Sequence, residues 1–223
     1  MKANHHPQDD LLLSYAAGSL SESWSLAIAS HLSSCSECRK TLKLAETVGG
    51  VLLADIPNQD INLTTLESVF SRIDQPDIES AADNSQMRFK PSVGGESIFP
   101  TVLQRYIGDN VENVPWKSVS SGIRQHLIET PDDDGSVRLL RIKAGKAVPN
   151  HGHQGRELTL VLSGSYHDGL STYGAGDMQD VDEETVHKPV VDDGLDCICL
   201  VITDAPIVFK EWMPRILQPF LAI

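Results

Sequence analysis

One spacing pattern restricts this chain more than any other feature: Gly145-x5-His151-x-His153-x3-Glu157-x6-Gly164. Alternate side chains of an extended segment point to the same side, so His151 and His153 share a face. Glu157 opens the next strand and can bring its carboxylate to the same point. Further on, His187 follows the turn Tyr173-Gly-Ala-Gly-Asp177 in a strand-like run, Thr185-Val-His-Lys-Pro-Val. Three imidazoles and a carboxylate suit a divalent first-row metal, zinc foremost, with manganese, iron or nickel as alternatives. A lone histidine is ordinarily a satisfied core or surface residue, but here ligand types, spacing and flanking glycines agree. His126 and His167 lack such partners and read as structural or solvent-exposed.

Around this motif the chain reads as short strands. Ile123–Ile128, Val137–Ile142, Glu157–Leu162, Thr185–Val191 and Leu195–Ile202 are separated by turn signals such as Pro131-Asp-Asp-Asp-Gly135, Ala144-Gly145, Ser163-Gly164 and Asp192-Asp193-Gly194. Strands at this spacing indicate an antiparallel sandwich or small barrel. Cys197 and Cys199 alternate on one such strand and face one side. They read first as buried small apolar groups, and second as a vicinal thiol pair open to oxidation. Asp177, Asp180, Asp182, Glu183 and Glu184 crowd the approach to His187 and read as a solvated rim that repels anions.

The first 75 residues have a different period. Asp9 and Asp10 precede Leu11, Leu12, Tyr15 and Ala16, and Gly18 stops this helix. Ser19-Leu-Ser-Glu22 has the form of a capping box for a second helix carrying Trp24, Leu26, Ile28 and Leu32. A third helix runs from about Cys38 to Ala54, with Gly49-Gly50 as its weak point. Thr64-Thr-Leu-Glu67 repeats the capping form, and Leu63, Leu66, Val69, Phe70 and Ile73 mark the apolar face of a fourth. From Asp74 to about Glu96 the residues are mostly Asp, Gln, Ser, Asn, Pro and Gly, the composition of a linker. The predicted organisation is α+β and multidomain: an all-α helical bundle over 1–75, a flexible linker over 76–96 and an all-β domain over 97–223. The apolar tail from Phe209 to Ile223 has no assigned conformation.

The helical part holds a second set of ligands. In His31-Leu-Ser-Ser-Cys35-Ser-Glu-Cys38 the two thiols can reach one ion, and His31 sits one helical turn earlier. A tetrahedral zinc takes four such groups, and the fourth would come from the N-terminus, with His6 slightly preferred to His5 on spacing, closing the first helix on the second and third. A redox dithiol is the competing reading, but dithiols of the thioredoxin kind lie near a βαβ pattern, which is absent here.

Two resemblances follow from these motifs. His6 with His31-x3-Cys35-x2-Cys38 between two helices resembles the zinc-binding anti-sigma domain of bacteria. The stretch "His-His-Pro…Leu-Leu-Leu-Ser-Tyr-Ala-Ala-Gly" is similar to its ChrR-type branch. Over about residues 1–75 this resemblance implies a small helical bundle that wraps an extracytoplasmic-function (ECF) sigma factor and blocks its access to core RNA polymerase. It also implies that His6, His31, Cys35 and Cys38 hold the zinc, and that oxidative stress such as singlet oxygen releases the sigma factor. The Gly145–Gly164 pattern resembles the first motif of the cupin family. The second motif departs from that family, because Gly174-Ala-Gly176-Asp177 replaces Pro-x-Gly and the spacing to His187 is stretched. This resemblance, over about residues 97–205, implies a double-stranded β-helix barrel with His151, His153, Glu157 and His187 around a metal in its mouth.

Charge removes some functions. With 18 basic and 31 acidic side chains the chain carries −13, which argues against direct binding to nucleic acid phosphates. No apolar run approaches the roughly 18–20 residues that cross a bilayer, and the N-terminal stretch has no apolar core of the kind a signal peptide needs. The cytoplasm is the expected address, and the four cysteines do not suggest a secreted disulfide framework. Four short helices cannot bury every apolar stripe, so Leu11, Leu12 and Tyr15 on the first helix and Leu66, Phe70 and Ile73 on the fourth are expected partner contacts, with bundle core as the competing reading. A zinc-clasped helical domain tethered to a metal-binding barrel suits a regulator, with the barrel as sensor. A dioxygenase-like cupin metalloenzyme with an accessory helical zinc domain is the alternative, and a plain small-molecule sensor or storage domain is a third.

Overall fold

A computed structural model describes residues 3–58, 63–73, 97–132 and 135–209. In chain order the helices are α1 (Asp9–Ala16), α2 (Glu22–Ser34), α3 (Ser36–Ala54), α4 (Leu63–Ile73) and α5 (Thr101–Ile107). The strands are β1 (Lys117–Ser120), β2 (Ile123–Ile128), β3 (Ser136–Ile142), β4 (His151–Gly152), β5 (Glu157–Ser163), β6 (Ser165–His167), β7 (Thr172–Gly174), β8 (Met178–Val181), β9 (Val186–His187), β10 (Val190–Val191), β11 (Cys197–Thr203) and β12 (Val208–Phe209). The expected linker and the tail beyond Phe209 lie outside the described residues.

Acidic residues open α1, where they favour the N-terminal end of the helix dipole. Gly18, at φ 66°, ends it with the left-handed conformation that glycine adopts without strain. Ser19 does not cap α2: Ser21 occupies that position, without a side-chain capping bond. Its hydroxyl meets that of Ser23 instead, 3.1 Å away. Cys35 serves as C-cap of α2 and N-cap of α3, an extended residue at the corner between the helices. The Gly49-Gly50 pair does not break α3, which continues to Ala54.

The largest sheet has strand order β1-β2-β3-β11-β5-β8, and every pairing in it is antiparallel. Two three-stranded sheets accompany it, β10-β6-β7 and β12-β4-β9. Side-chain alternation sorts the large sheet into two faces. On β11, Ile198, Leu200 and Ile202 join Leu139, Leu158 and Leu160 in a core shared with Leu12, Trp24 and Ile28 of the helices and with Phe99 and Leu103. The intervening Cys197, Cys199 and Val201 turn the other way, into a second core with Tyr166, Tyr173 and Val191. The molecule is therefore layered: helices, central sheet, then a second layer of strands. Each fully buried Leu or Ile contributes about 1.5–3 kcal/mol, so the helices and the large sheet stabilise each other directly.

Three sequence expectations change here. Residues after 97 begin with α5, not a strand, and α5 packs on α2. The run Thr185–Val191 is two short strands, β9 and β10, interrupted at Lys188-Pro189, where the proline cannot donate to a ladder. Leu11 and Leu12 are buried in the core and offer a partner no surface, while Leu13 is the exposed leucine of α1. No helix among the described residues is long and apolar enough to cross a membrane.

Two candidate metal centres

The first centre sits where α2 meets α3. Because Cys35 occupies the corner and Cys38 the first turn of α3, both sulfurs face one point, and Cys35 Sγ accepts the Cys38 amide at 3.4 Å. His31, one turn back on α2, brings Nε2 to 3.3 Å from Cys38 Sγ. His6 Nδ1 lies 3.3 Å from both sulfurs. One atom from each of these residues falls within 4.8 Å of all the others. A nitrogen and a sulfur on one tetrahedral zinc are expected about 3.6 Å apart, so these four groups can close on an ion with small movements. Burial pushes the Cys38 thiol up to about 12, aided by its contact with Cys35. Burial also pushes His31 down to about 4, with the neighbouring His6 adding to it. A dication reverses the thiol's preference by stabilising thiolate.

His5 takes no part in this cluster. Its Nε2 meets Ser171 Oγ at 2.8 Å, and its ring rests on Tyr173 with centroids 4.5 Å apart. The choice between His5 and His6, only slightly tilted to His6 by spacing, follows from the backbone. Asp177 Oδ1 accepts the amides of Asn4 at 2.5 Å and His5 at 3.0 Å, and the Met178 amide donates to the His5 carbonyl at 3.1 Å. Pinned in this way to the turn between β7 and β8, the N-terminal segment sends His5 to the strands and His6 to the thiols. Asp177, expected on a solvated rim, is buried instead. Asp180 is drawn into a pair with Arg156 at 2.7 Å, and Arg156 also reaches Asp10 of α1 at 2.6 Å. Asp182, Glu183 and Glu184 are exposed, as expected of a rim.

The second centre lies on the far side of the large sheet. β4 pairs with β9, placing His151 opposite His187, and β5 begins at Glu157. His187 Nε2 is 3.1 Å from His151 Nε2 and 3.3 Å from His153 Nε2. Two nitrogens on one ion at about 2.1 Å each are separated by about 3.0–3.4 Å, so these rings are already at ligand spacing. Glu157 lies 3.7 Å from His153, and all four residues are buried. The flanking glycines have conformational reasons: Gly145 and Gly164 adopt φ of 70° and 72°. A Cβ on Gly164 would stand 2.6 Å from the Asp196 carbonyl oxygen.

Outer groups orient these ligands. His151 Nδ1 donates to the Pro149 carbonyl at 2.9 Å, and His187 Nδ1 faces the Asp168 carboxylate at 3.3 Å. Both contacts leave Nε2 as a lone pair toward the centre, the usual arrangement around a bound ion. Asp168 is held by the Leu170 and Ser171 amides and by Gln179. Thr159 donates to Glu157 at 3.1 Å. Burial holds His151 and His153 at about 4 and also lowers His187. It raises Glu157 to about 7, against the pull of Thr159 and Arg138. A site that favours neutral imidazoles and penalises an unpaired carboxylate matches a cation that needs both lone pairs and charge. Asp168 was not foreseen from the sequence, since an Asp-Gly turn carries no sign of the histidine it will meet.

Cys197 and Cys199 are buried with sulfurs 3.4 Å apart. His167 is exposed and pairs with Asp192 at 2.8 Å, and His126 is half-buried.

A helical layer with a His/Cys cluster, backed onto strands with a His/Glu cluster, defines a protein with two candidate metal sites in which neither half is an appendage of the other. Residues 104–205 match the ChrR cupin-like domain family. The whole chain is 41% identical over 223 residues to the anti-sigma-E factor ChrR of Cereibacter sphaeroides, covering 100% of each. It also resembles a chain of the crystal structure of Rhodobacter sphaeroides SigE in complex with the anti-sigma ChrR. That likeness has a TM-score of 0.76 at 39% identity and covers 92% of this chain and 100% of the other. The chain belongs to the ChrR family of anti-sigma factors.

Proposed function

We propose that this protein captures an ECF-type sigma factor in the cytoplasm, keeps it from core RNA polymerase, and releases it under oxidative stress such as singlet oxygen. The observation that supports this most is an uncovered apolar stripe on a chain that aligns end to end with an anti-sigma factor. Along α3, Leu44, Val48, Val51 and Leu52 follow helical spacing and are exposed, Leu52 by 64%. On α4 every described side chain is exposed, including Leu66, Val69, Phe70 (56%) and Ile73. Amphipathic helices with bare apolar faces are built to be covered by a partner. Leu66, Phe70 and Ile73 are partner contacts in this reading, joined by the α3 stripe. Tyr15 stands at the edge of the core, and Leu11 and Leu12 support α1 from beneath.

His6, His31, Cys35 and Cys38 hold a structural zinc that fixes the helical bundle in its binding shape. Sites of this kind supply about 10–16 kcal/mol of apparent binding energy at neutral pH, released only on folding. His151, His153, Glu157 and His187 hold a second divalent ion, zinc in this reading, within a closed double-stranded β-helix barrel that serves as sensor. The working division is a sigma-binding domain over 1–75, a tether over 76–96 and a cupin over 97–223. This reading assigns no catalysis to the chain.

The test is co-expression of the full chain with an ECF sigma factor of its own genome. The expected result is a one-to-one complex and a silenced target promoter. A well-folded chain that leaves every such promoter active overturns the reading.

A further inference from the structure

The cavity around the second centre is larger than an ion requires. It encloses about 780 Å³, inside the ~300–1,000 Å³ typical of small-molecule sites. Leu140, Ile142, Val148, Val191 and Val201 line it with apolar surface. Into this space β3 also directs Arg138. Register places Arg138 opposite Val201, which is in turn opposite Thr159, next to the row that carries Glu157. Arg138 therefore starts two strands, roughly 10 Å, from the ligand strand; its guanidinium is turned toward Gln125 of β2, and a change of rotamer would carry it across the cavity.

Among the described residues the guanidinium has only neutral hydrogen-bond partners. Nε donates to Ser136 Oγ at 3.2 Å and Nη1 to Gln125 Oε1 at 3.5 Å. Among the described residues no carboxylate forms an ion pair with it, whereas Arg141 and Arg156, elsewhere on the surface, are each paired with two acids. Glu157 acts on Arg138 only through its field, and its carboxylate belongs to the ligand cluster. Charge counting points the same way. Three neutral imidazoles and one carboxylate leave a dication with a net single positive charge, and Arg138 adds another. The Asp204 carboxylate at the cavity edge, which accepts the Arg156 amide at 2.8 Å, removes one, so the space keeps a net positive charge. Uncompensated charge in such surroundings is costly, and a planar oxyanion is the natural complement of a guanidinium.

We propose that this cavity is a receptor site for an apolar monocarboxylate, its head held between Arg138 and the His/Glu centre and its tail along the Leu140–Val191 wall. The proposal goes beyond the anti-sigma reading and does not depend on it, because binding is read without any sigma factor.

The experiment is calorimetric titration of the zinc-loaded full chain with octanoate, octan-1-ol and octylamine. Octanoate is expected to bind at least about tenfold more tightly than either of the others, because only it satisfies the guanidinium. R138Q should weaken octanoate about tenfold or more while leaving zinc content and octanol binding unchanged, and R138K should weaken it less. Leu140→Trp, which fills the cavity, should remove binding. Equal affinity for octanoate and octanol overturns the proposal, as does full affinity in a folded R138Q chain, which would assign the anion to the metal alone. Binding that survives Leu140→Trp places the ligand elsewhere and has the same effect. If R138Q loses its zinc or its fold, the folded, zinc-loaded R138K chain decides, and undiminished octanoate affinity there overturns the proposal.

Discussion

Asp177 shows how much one carboxylate can organise. It accepts the amides of Asn4, His5 and Gly174, and so joins the segment that carries His6 to the β7–β8 turn. Desolvation alone would raise its pKa, but those amides outweigh it and the net shift is downward. A carboxyl with a lowered folded-state pKa stabilises the protein fully above its unfolded value of about 3.9, and the contribution fades as pH falls through the folded value. Asp177→Asn should therefore cost about 1–3 kcal/mol near neutral pH, read as a lower urea midpoint, and the gap from the parent should shrink in acid. Weaker zinc retention is expected in the same variant, since His6 loses its anchor. A second expectation concerns protons. The Cys38 thiol, at about 12, and Glu157, at about 7, both give up protons when an ion binds. Loading the metal-free chain with zinc at pH 7 should release protons, measurable by calorimetry in buffers of different ionisation enthalpy. Replacing Cys35 and Cys38 by serine should remove the N-terminal share of that release.

Among the elements, α3 and β11 make opposite use of apolar residues. β11 is buried on both faces from Cys197 to Ile202, so every side chain on it is packed. Leu200→Ala should cost about 2–5 kcal/mol by leaving a cavity between the helices and the sheet, seen as a lower thermal midpoint. The outer half of α3 is exposed at every position from 46 to 54, so Val48 and Leu52 support no core. The double change Val48→Asp, Leu52→Asp should leave the thermal midpoint within a few degrees and yet abolish sigma-factor capture in a pull-down. Capture at parental strength would remove α3 from the interface. The periodicity of β11 and the helical spacing of α3 are both legible in sequence. Which of the two is covered is not, because an apolar stripe looks the same whether it faces its own chain or a partner.

At the scale of the molecule, the helices and the large sheet share one core, and polar contacts tie them further. The amides of Glu22 and Ser23 donate to Asp132, and Tyr106 donates to Glu22. Amides of α2 and β11 should accordingly exchange with solvent through a common opening, with the same free energy in native-state hydrogen exchange. A much lower value for α2 would mean that the helical part unfolds by itself. The local parts of both candidate clusters (His31, Cys35 and Cys38; His151, His153 and Glu157), the change from helical to strand period, and the positions of β2, β3, β5 and β11 could be read directly from residue types and spacing, since ligand motifs and side-chain alternation act over a few neighbouring positions. Tertiary packing brought His6 and not His5 to the thiols, a choice the sequence tilted only slightly, and it alone decided that Asp168 backs His187, that Leu11 and Leu12 lie beneath the surface, and that Arg138 shares a cavity with the second centre. Those outcomes join residues tens to more than a hundred positions apart, and only the register of strands and the stacking of layers brings such groups within reach of one another.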